Sequence, residues 1–251
     1  MKDRVDRRVL GAIRWLDAVT KAVIAQPLAV RAATASLTRN LSGLFVITTA
    51  NGLEKYTGHL DLATLPPADV KPDESVTVTG QVEDPTGCYL ARIFTVALPR
   101  NGTTTLPHPA NSLFSPVDLE LLPTPRAKAM AGWAQVRVTV KKQSGEPFAN
   151  VLIRVVATAN NRVLGRGMSD ARGEALVAVP GLPLFQAGAT PDKVVTSETA
   201  AKIEFIPPTS AAPLVDWTAL DALAAIPANI RATPLALKAG ETYSLQSSVT
   251  S

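Results

Sequence analysis

The clearest hydrophobic pattern in the chain is an alternation of apolar and polar residues between positions 133 and 180. In 133–142, WAQVRVTVKK, valines occupy every second position, which is the period of a half-buried β-strand. Segment 144–158, SGEPFANVLIRVVAT, begins with turn residues and continues as a second strand. In 160–180, NNRVLGRGMSDARGEALVAVP, two apolar runs flank the polar sequence SDARG, which predicts a hairpin.

The polar residues between these two runs have two interpretations. Asp170 and Glu174 could be a pair of catalytic carboxylates, but such a pair needs a cleft and a defined separation. An alternating strand beside a tight turn provides neither, so we interpret 169–174 as a turn. In this turn Asp170 bonds the backbone two residues on, Gly173 supplies the conformation that closes the hairpin, and Glu174 points to solvent.

Short strands separated by turn residues also fill the first part of the chain. They are predicted at 11–17, at 26–32, within 42–53 and in two runs within 74–99. The last two runs flank the sequence DPTG, whose proline and glycine suit the central positions of a turn. The pattern predicts a β-sandwich or β-barrel-like domain over residues 1–98.

Residues 99–132 differ from both flanks because prolines interrupt them repeatedly. We predict an extended segment that connects two domains. Its apolar residues are too many for a free linker, so part of it should dock on a domain. These residues are Phe114, Val117, Leu119, Leu121 and Leu122.

The C-terminal part, 133–251, is predicted to be a second β domain with one helix. The helix lies within 213–230, where Asp216 can cap its N-terminus and apolar residues from Trp217 onward recur at helical spacing. A last strand at 232–249 is interrupted by Ala-Gly. The predicted fold is therefore all-β: two β-sandwich or barrel-like domains joined by a Pro-rich segment, with one short C-terminal helix.

Composition and charge limit the classes of partner. The 251 residues are 46% hydrophobic and 18% charged, with a net charge of +4. Residues 1–125 hold 12 basic and 12 acidic side chains, and residues 126–251 hold 13 and 9, so the excess lies in the second half. This excess is small and no aromatic residues are interleaved with arginine, which argues against nucleic acid as a partner.

The sequence also bears on compartment. No segment approaches the length of an uncharged membrane span. Arg14, Asp17 and Lys21 interrupt the apolar stretch that would follow the basic N-terminus of a secretory signal. Cys88 is the single cysteine, so an intrachain disulfide is excluded. We expect a chain without a membrane span that is made and folded in the cytosol.

Two turns, each followed by an apolar strand, carry a family resemblance. Their residues are Gly145, Pro147, Val151, Ser169, Asp170, Gly173, Pro180 and Gly181. The stretch 136–181 resembles the carboxypeptidase regulatory-like domain, and the resemblance implies a small transthyretin-like β-sandwich. After Gly181 the chain departs from that family, which adds a compact Gly-x-Tyr strand where this sequence makes a longer excursion before a strand at 202–206.

Four stretches outside that region carry a second resemblance. They are GAIRWLDAVT at 11–20, LTRNLSGLFVI at 37–47, DPTGCYLARIFTVALPR at 84–100 and LALKAGETYSL at 235–245. These stretches are similar to uncharacterised proteins found beside the sheath and cap components of phage-tail-like contractile injection systems. The resemblance implies a role in particle assembly and no catalytic activity.

No reactive centre is predicted. His59 and His108 lie far apart in the sequence, without a cysteine or carboxylate at ligand spacing. Cys88 has no neighbouring base that would activate it, and we expect a small, partly buried thiol. The run NGTTT at 101–105 is expected to be a solvated loop tip. We therefore predict no enzyme activity, no metal and no cofactor.

A charged cluster at the start of the chain supplies the candidate partner-binding residues. They are Lys2, Arg4, Arg7 and Arg8, with acidic residues among them. One interpretation is a solvated, frayed terminus, as most termini are. The other is an arm that pairs with an acidic patch on a neighbouring subunit.

Two functional hypotheses follow. The first is a non-enzymatic structural subunit of a large assembly, such as a cap, collar or baseplate element of a contractile, phage-tail-like particle. Its partners would be other protein subunits, including further copies of itself, in a particle built in the cytosol and released from the cell. The alternative is a surface module that binds a glycan or peptide through loops at one end of a sandwich. Sugar stacking needs exposed aromatic residues, whereas Trp15, Trp133 and Trp217 are all predicted to face the core.

Overall fold

The computed structural model describes residues 9–53, 75–104, 106–109, 111–128, 130–187, 194–224 and 231–249. The chain forms two compact units. The first comprises Met1–Asp17, Lys21–Pro85 and Ala91–Leu121, and the second comprises Ala18–Thr20, Thr86–Leu90 and Leu122–Ser251.

Strands make up most of the secondary structure. The strands of the first unit are β1 (Gly11–Asp17), β2 (Ala29–Ala32), β3 (Ala35–Arg39), β4 (Phe45–Ala50), β5 (Val76–Glu83), β6 (Arg92–Leu98) and β7 (Val117–Leu121). The second unit contains β8 (Ala134–Lys142), β9 (Leu152–Ala157), β10 (Val163–Met168), β11 (Glu174–Val179), β12 (Phe185–Ala187), β13 (Val194–Thr196), β14 (Thr199–Ile206), α1 (Trp217–Leu223), β15 (Arg231–Leu237) and β16 (Thr242–Val249). The all-β prediction is confirmed, and α1 is the single helix of the described residues.

The first unit is a sandwich of two sheets, with strand orders β3-β4-β1-β7 and β2-β5-β6. Strand β1 lies between β4, to which it is antiparallel, and β7, to which it is parallel. Trp15 of β1 meets Phe94 of β6 edge to face, with ring centroids 5.3 Å apart and an interplanar angle of 81°. A Cβ atom on Gly80 would lie 2.5 Å from the Phe94 ring, so the glycine leaves room for this aromatic pair.

The second unit is also a sandwich, with strand orders β10-β9-β14-β15 and β11-β8-β16. The predicted alternation in β8 is confirmed, because Val136, Val138 and Val140 are all buried. They join residues of the facing sheet, such as Ile153 of β9 and Ile203 of β14, in one apolar cluster. The second unit therefore has a continuous core between its two sheets.

Helix α1 packs on the outer face of the sheet that contains β9 and β14. Asp216 caps the helix as predicted, since its carboxylate accepts a hydrogen bond of 3.0 Å from the Thr218 N–H. Trp217 and Leu220 are buried in a second apolar cluster, which includes Leu152 of β9. Part of the predicted helical segment, 225–230, lies outside the described residues.

The predicted hairpin within 160–180 is wrong. Strand β10 pairs with β9 and strand β11 pairs with β8, so the turn between them crosses from one sheet to the other. The two strands still approach closely, because a Cβ atom on Gly167 would lie 2.3 Å from the Leu176 carbonyl oxygen. We call residues 169–174, which connect the two sheets, the arch.

Two further expectations change in the structure. The last predicted strand, 232–249, is two strands in different sheets, since β15 pairs with β14 and β16 pairs with β8. The predicted connecting segment, 99–132, contributes β7 to the first unit, while its residues from Leu122 onward belong to the second. The expected docking is present, because both Leu121 and Leu122 are buried, whereas Phe114 is exposed.

Candidate functional site

The arch is held by a buried hydroxyl. The Ser169 side chain is 1% exposed. Its Oγ donates to the Phe148 carbonyl oxygen at 2.7 Å and accepts from the Val151 N–H at 2.9 Å. A buried polar group is favourable only when it is hydrogen-bonded in this way, so Ser169 ties the arch to the start of β9.

Asp170 closes the arch as a turn, as predicted. Its Oδ1 accepts from the Arg172 N–H at 2.8 Å and from the Glu174 N–H at 3.1 Å. Gly173 has a φ of +74°, and a Cβ atom there would lie 2.3 Å from the Val140 carbonyl oxygen. Only glycine combines that conformation with so close an approach.

The two carboxylates of the arch share one cation. Arg172 lies 3.0 Å from Asp170 Oδ2 and 2.7 Å from Glu174 Oε2. The hydrogen bonds that the Arg172 guanidinium donates to Asp170 are the main cause that raises the pKa of this guanidinium. The Glu174 side chain is 46% exposed, which agrees with its predicted direction. Both carboxylates therefore pair with one arginine at the surface of the arch.

A charged cluster that the sequence reasoning missed lies between α1 and the sheet beneath it. Arg154 of β9 is paired across the sheet with Arg166 of β10 on one side and with Glu204 of β14 on the other. The Glu204 side chain is 3% exposed and lies 2.8 Å from the Arg154 guanidinium and 2.9 Å from Lys202 Nζ. Asp221 of α1 completes the cluster.

Asp221 bridges the two arginines. Its Oδ1 lies 3.2 Å from Arg154 Nη1, and its Oδ2 lies 2.9 Å from Arg166 Nη2. Two like charges directly opposite one another in a sheet repel, and the helix carboxylate offsets that repulsion. The cluster therefore fixes α1 on the sheet. The signal in the sequence was a charged residue between apolar neighbours in each of two strands, Arg154 in LIRVVA and Glu204 in IEFI.

The other predicted candidates lie in loops. The ring of His108 is half-buried and stacks on Phe114, with centroids 5.2 Å apart. Asn101 Oδ1 accepts from the Thr103 N–H at 2.8 Å, so the NGTTT run begins with an ordered turn. His59 lies outside the described residues.

The expectation of a partly buried Cys88 is wrong, since the residue is exposed. It lies in the loop between β5 and β6, before the buried part of β6 begins. Its carbonyl oxygen accepts a hydrogen bond of 2.8 Å from the Thr124 N–H. The four candidate partner-binding residues, Lys2, Arg4, Arg7 and Arg8, lie outside the described residues.

Among the described residues, each unit has an open surface concavity large enough to consider as a ligand site. The one in the second unit has a volume of about 400 Å³ and is lined by Phe148, Asn150 and Thr209 among others. The Asn150 amide is already used, because its Nδ2 donates to the Ala212 and Pro213 carbonyl oxygens at 3.1 and 3.3 Å. The one in the first unit, about 460 Å³, lies beside Arg31 and Gly80. Neither brings an acid and a base together.

Two classes of site are missing from the described part of the chain. It contains no group of three or more His, Cys, Asp or Glu side chains that could hold a metal ion. Its one helix, α1, has seven residues and cannot reach across a bilayer.

No family model matches the chain, and no curated protein matches it. Among solved structures it is similar to the Bacillus anthracis TIE protein, with a TM-score of 0.27 and 8% identity, over 97% of this chain and 34% of that chain. It is also similar to a streptococcal ancillary pilin, with a TM-score of 0.25 and 10% identity, over 84% of this chain and 49% of that chain. The chain thus spans less than half the length of either structure, and likenesses this weak support no conclusion about function.

Proposed function

We propose that the chain is a non-enzymatic structural subunit of a larger protein assembly. The specific form proposed is a cap, collar or baseplate element of a phage-tail-like contractile injection particle. The observation that carries the proposal is the use of charge: the carboxylates of the arch and of the charged cluster bind arginines and backbone instead of lining a cleft. The two sandwiches also have open sheet edges, and such edges commonly pair with strands from other chains.

The proposal includes a carboxypeptidase regulatory-like architecture for residues 136–181. Two features support it. Ser169 and Asp170 hold the turn before β11, and Gly173 approaches the backbone of β8 too closely for any side chain. Both features make this turn a structural element of the sandwich.

A glycan-binding module remains the alternative proposal, and the tryptophans weaken it. Trp15 is 2% exposed and Trp217 is 5% exposed, while Trp133 is half-buried. Stacking on a sugar requires an open aromatic face. Specific hits on a glycan array with the purified chain would favour the alternative.

Isolation of particles tests the structural role. The chain would carry a small affinity tag at its natural expression level, and particles would be purified from lysed cells by sedimentation through a density gradient. We expect the chain to co-sediment with sheath and tube proteins in a fixed ratio, read by mass spectrometry. A chain found only in the slowly sedimenting fractions, while sheath and tube sediment as particles, would contradict the proposal.

The N-terminal arm can be tested in the same preparation. We expect deletion of residues 1–8 to reduce incorporation into the particle because Lys2, Arg4, Arg7 and Arg8 are lost. The fold should not change, and an unchanged circular dichroism spectrum of the purified variant is the control. Unchanged incorporation would show that the terminus is only a solvated tail.

A further inference from the structure

Strand β16 forms one edge of the sheet β11-β8-β16, and half of its backbone groups have no partner among the described residues. It pairs with β8 in parallel over its whole length, and the Glu241 carbonyl oxygen accepts from the Gln135 N–H at 2.9 Å. Alternate residues of a strand direct their backbone groups to the same side. The N–H and C=O groups of Thr242, Ser244, Gln246 and Ser248 therefore point away from β8.

These groups find no other partner in the described chain, since β8 is the one strand that borders β16. The side chains of the same four residues are exposed, while Tyr243 and Leu245 lie against the core. A row of unpaired donors and acceptors on an ordered strand is a template for another strand.

The sequence of β16 contains none of the devices that normally protect an edge. Lysine, other charges, proline or a bulge usually prevent pairing. Strand β16, TYSLQSSV, contains neither a charged residue nor a proline, and its register with β8 is regular over all eight residues. Each of the other outer strands of the four sandwich sheets contains a charged residue: Arg31 in β2, Arg39 in β3, Arg92 in β6, Asp118 and Glu120 in β7, Arg166 in β10, Glu174 in β11 and Arg231 in β15.

We propose that β16 pairs antiparallel with β16 of a second copy of this chain, across a two-fold axis. Two-fold pairing brings each edge strand against an identical one, so any charge on the strand meets a like charge. Among the outer strands of the sandwiches, β16 avoids that repulsion. The product is one continuous six-stranded sheet made from two copies of β11-β8-β16.

The backbone geometry fixes the register. Thr242, Ser244, Gln246 and Ser248 must all bond across the axis, which happens only when Leu245 lies opposite Leu245 of the partner subunit. Thr242 is then opposite Ser248 of the partner subunit, and Ser244 is opposite Gln246 of the partner subunit. These pairs of hydroxyl and amide side chains can hydrogen-bond across the strands on the exposed face.

Self-pairing of β16 rests on the proposed structural role, because it names one partner of this chain within an assembly. The self-pairing is measured on the isolated chain, whereas the assembly role is measured on particles. Either can therefore fail without the other.

Sedimentation velocity of the full chain over a range of concentrations tests the pairing. We expect a reversible monomer–dimer equilibrium for the wild type. Ser244→Pro removes an N–H that points away from β8, so it should abolish the dimer and leave the β8 ladder intact. The matched control Ser244→Ala keeps that N–H and should still form the dimer. A monomeric wild type at every soluble concentration, or an unchanged dimer in Ser244→Pro, would overturn the proposal.

A pair of double variants tests the register without relying on proline. Ser244→Lys with Gln246→Lys places two pairs of like charges opposite one another, whereas Ser244→Lys with Gln246→Glu places opposite charges there. We expect the first to dimerise about tenfold more weakly than the second at low salt. Equal dissociation constants would reject this register. Thermal melting of both variants verifies that each is folded.

Discussion

The two units use charge in different places. In the first unit, ion pairs lie at the surface: Arg14 binds Asp118 at 2.6 Å with both side chains about two-fifths exposed, and Lys21 binds Glu120 at 2.6 Å. Between its sheets, Trp15 and Phe94 form an aromatic contact. Solvent competes for exposed charges, so these ion pairs stabilise the unit little.

In the second unit, charge lies beneath a helix. Glu204 is buried, the Arg154 side chain is 15% exposed, and both lie between a sheet and α1. Buried charges are expensive to leave without a partner. We therefore expect the second unit to depend on each member of its charged cluster, and the first unit to tolerate the loss of an ion pair.

Gly173 should be the most sensitive position of those compared here, because it combines a positive φ with a close backbone approach. Gly173→Ala needs both a left-handed backbone and displacement of the Val140 carbonyl, and we expect a loss of about 4 kcal/mol in the free energy of unfolding. Gly240→Ala is the matched control, because Gly240 has a φ of +79° with no heavy atom within 4 Å of the added Cβ. It should lose only about 1 kcal/mol. Chemical denaturation measures both, and equal losses would contradict the steric argument.

The charged cluster should come next. Glu204→Gln keeps the shape of the side chain but removes the carboxylate that Arg154 and Lys202 share. Asp221 is then the one carboxylate of the cluster for both arginines. We expect a loss of about 3 kcal/mol. In a hydrogen-exchange measurement, the backbone amides of β9, β14 and α1 should exchange faster than in the wild type. A loss below about 1 kcal/mol would show that this cluster behaves like a surface ion pair.

The corresponding change in the first unit should have a small effect. In the wild type, the hydrogen bond to Asp118 raises the pKa of the Arg14 guanidinium. Asp118→Asn removes this carboxylate. Because both side chains are exposed, we expect a loss of at most about 1 kcal/mol, reduced further by salt. A larger, salt-independent loss would remove the contrast between the units.

The smallest effect is expected at alkaline pH. Burial raises the pKa of the Tyr243 hydroxyl above its ordinary 10.0, so the folded state favours the protonated phenol. The contribution of Tyr243 to stability is therefore fully present below pH 10.0 and is lost as the pH rises through the higher pKa of the folded state. Tyr243→Phe should flatten this part of the stability–pH curve, measured by denaturation at several pH values. A curve identical to that of the wild type would assign the alkaline loss to another group.

Local patterns in the sequence predicted local structure well. The alternation of valines placed β8 and its buried face, and Asp216 placed the start of α1. The turn at Asp170 was also predictable, because the carboxylate bonds backbone N–H groups within a few residues. The partners of β10 and β11 were not, since a tight turn can close either a hairpin or an arch between sheets. Strand β10 pairs with the preceding strand β9, whereas β11 pairs with β8, which is more distant in the sequence, and the local pattern does not show this difference.

The charged cluster was missed for a similar reason. Arg154, Glu204 and Asp221 come from three separate elements, and the contacts that join Arg154 to the other two span 50 and 67 positions of the sequence, which no local spacing reveals. Strand β7 was missed as a strand because prolines surround it, although its apolar residues correctly predicted docking. Neither could be found without knowing which strands are neighbours.

The parallel pairing of β8 with β16 has a consequence for synthesis on the ribosome. Gln135 is made long before Thr242, its partner in the sheet. Until β16 has been synthesised, the edge of β8 that will pair with it lacks its partner strand. Nascent chains stalled before Thr242 should therefore be more readily captured by chaperones than the released chain of 251 residues.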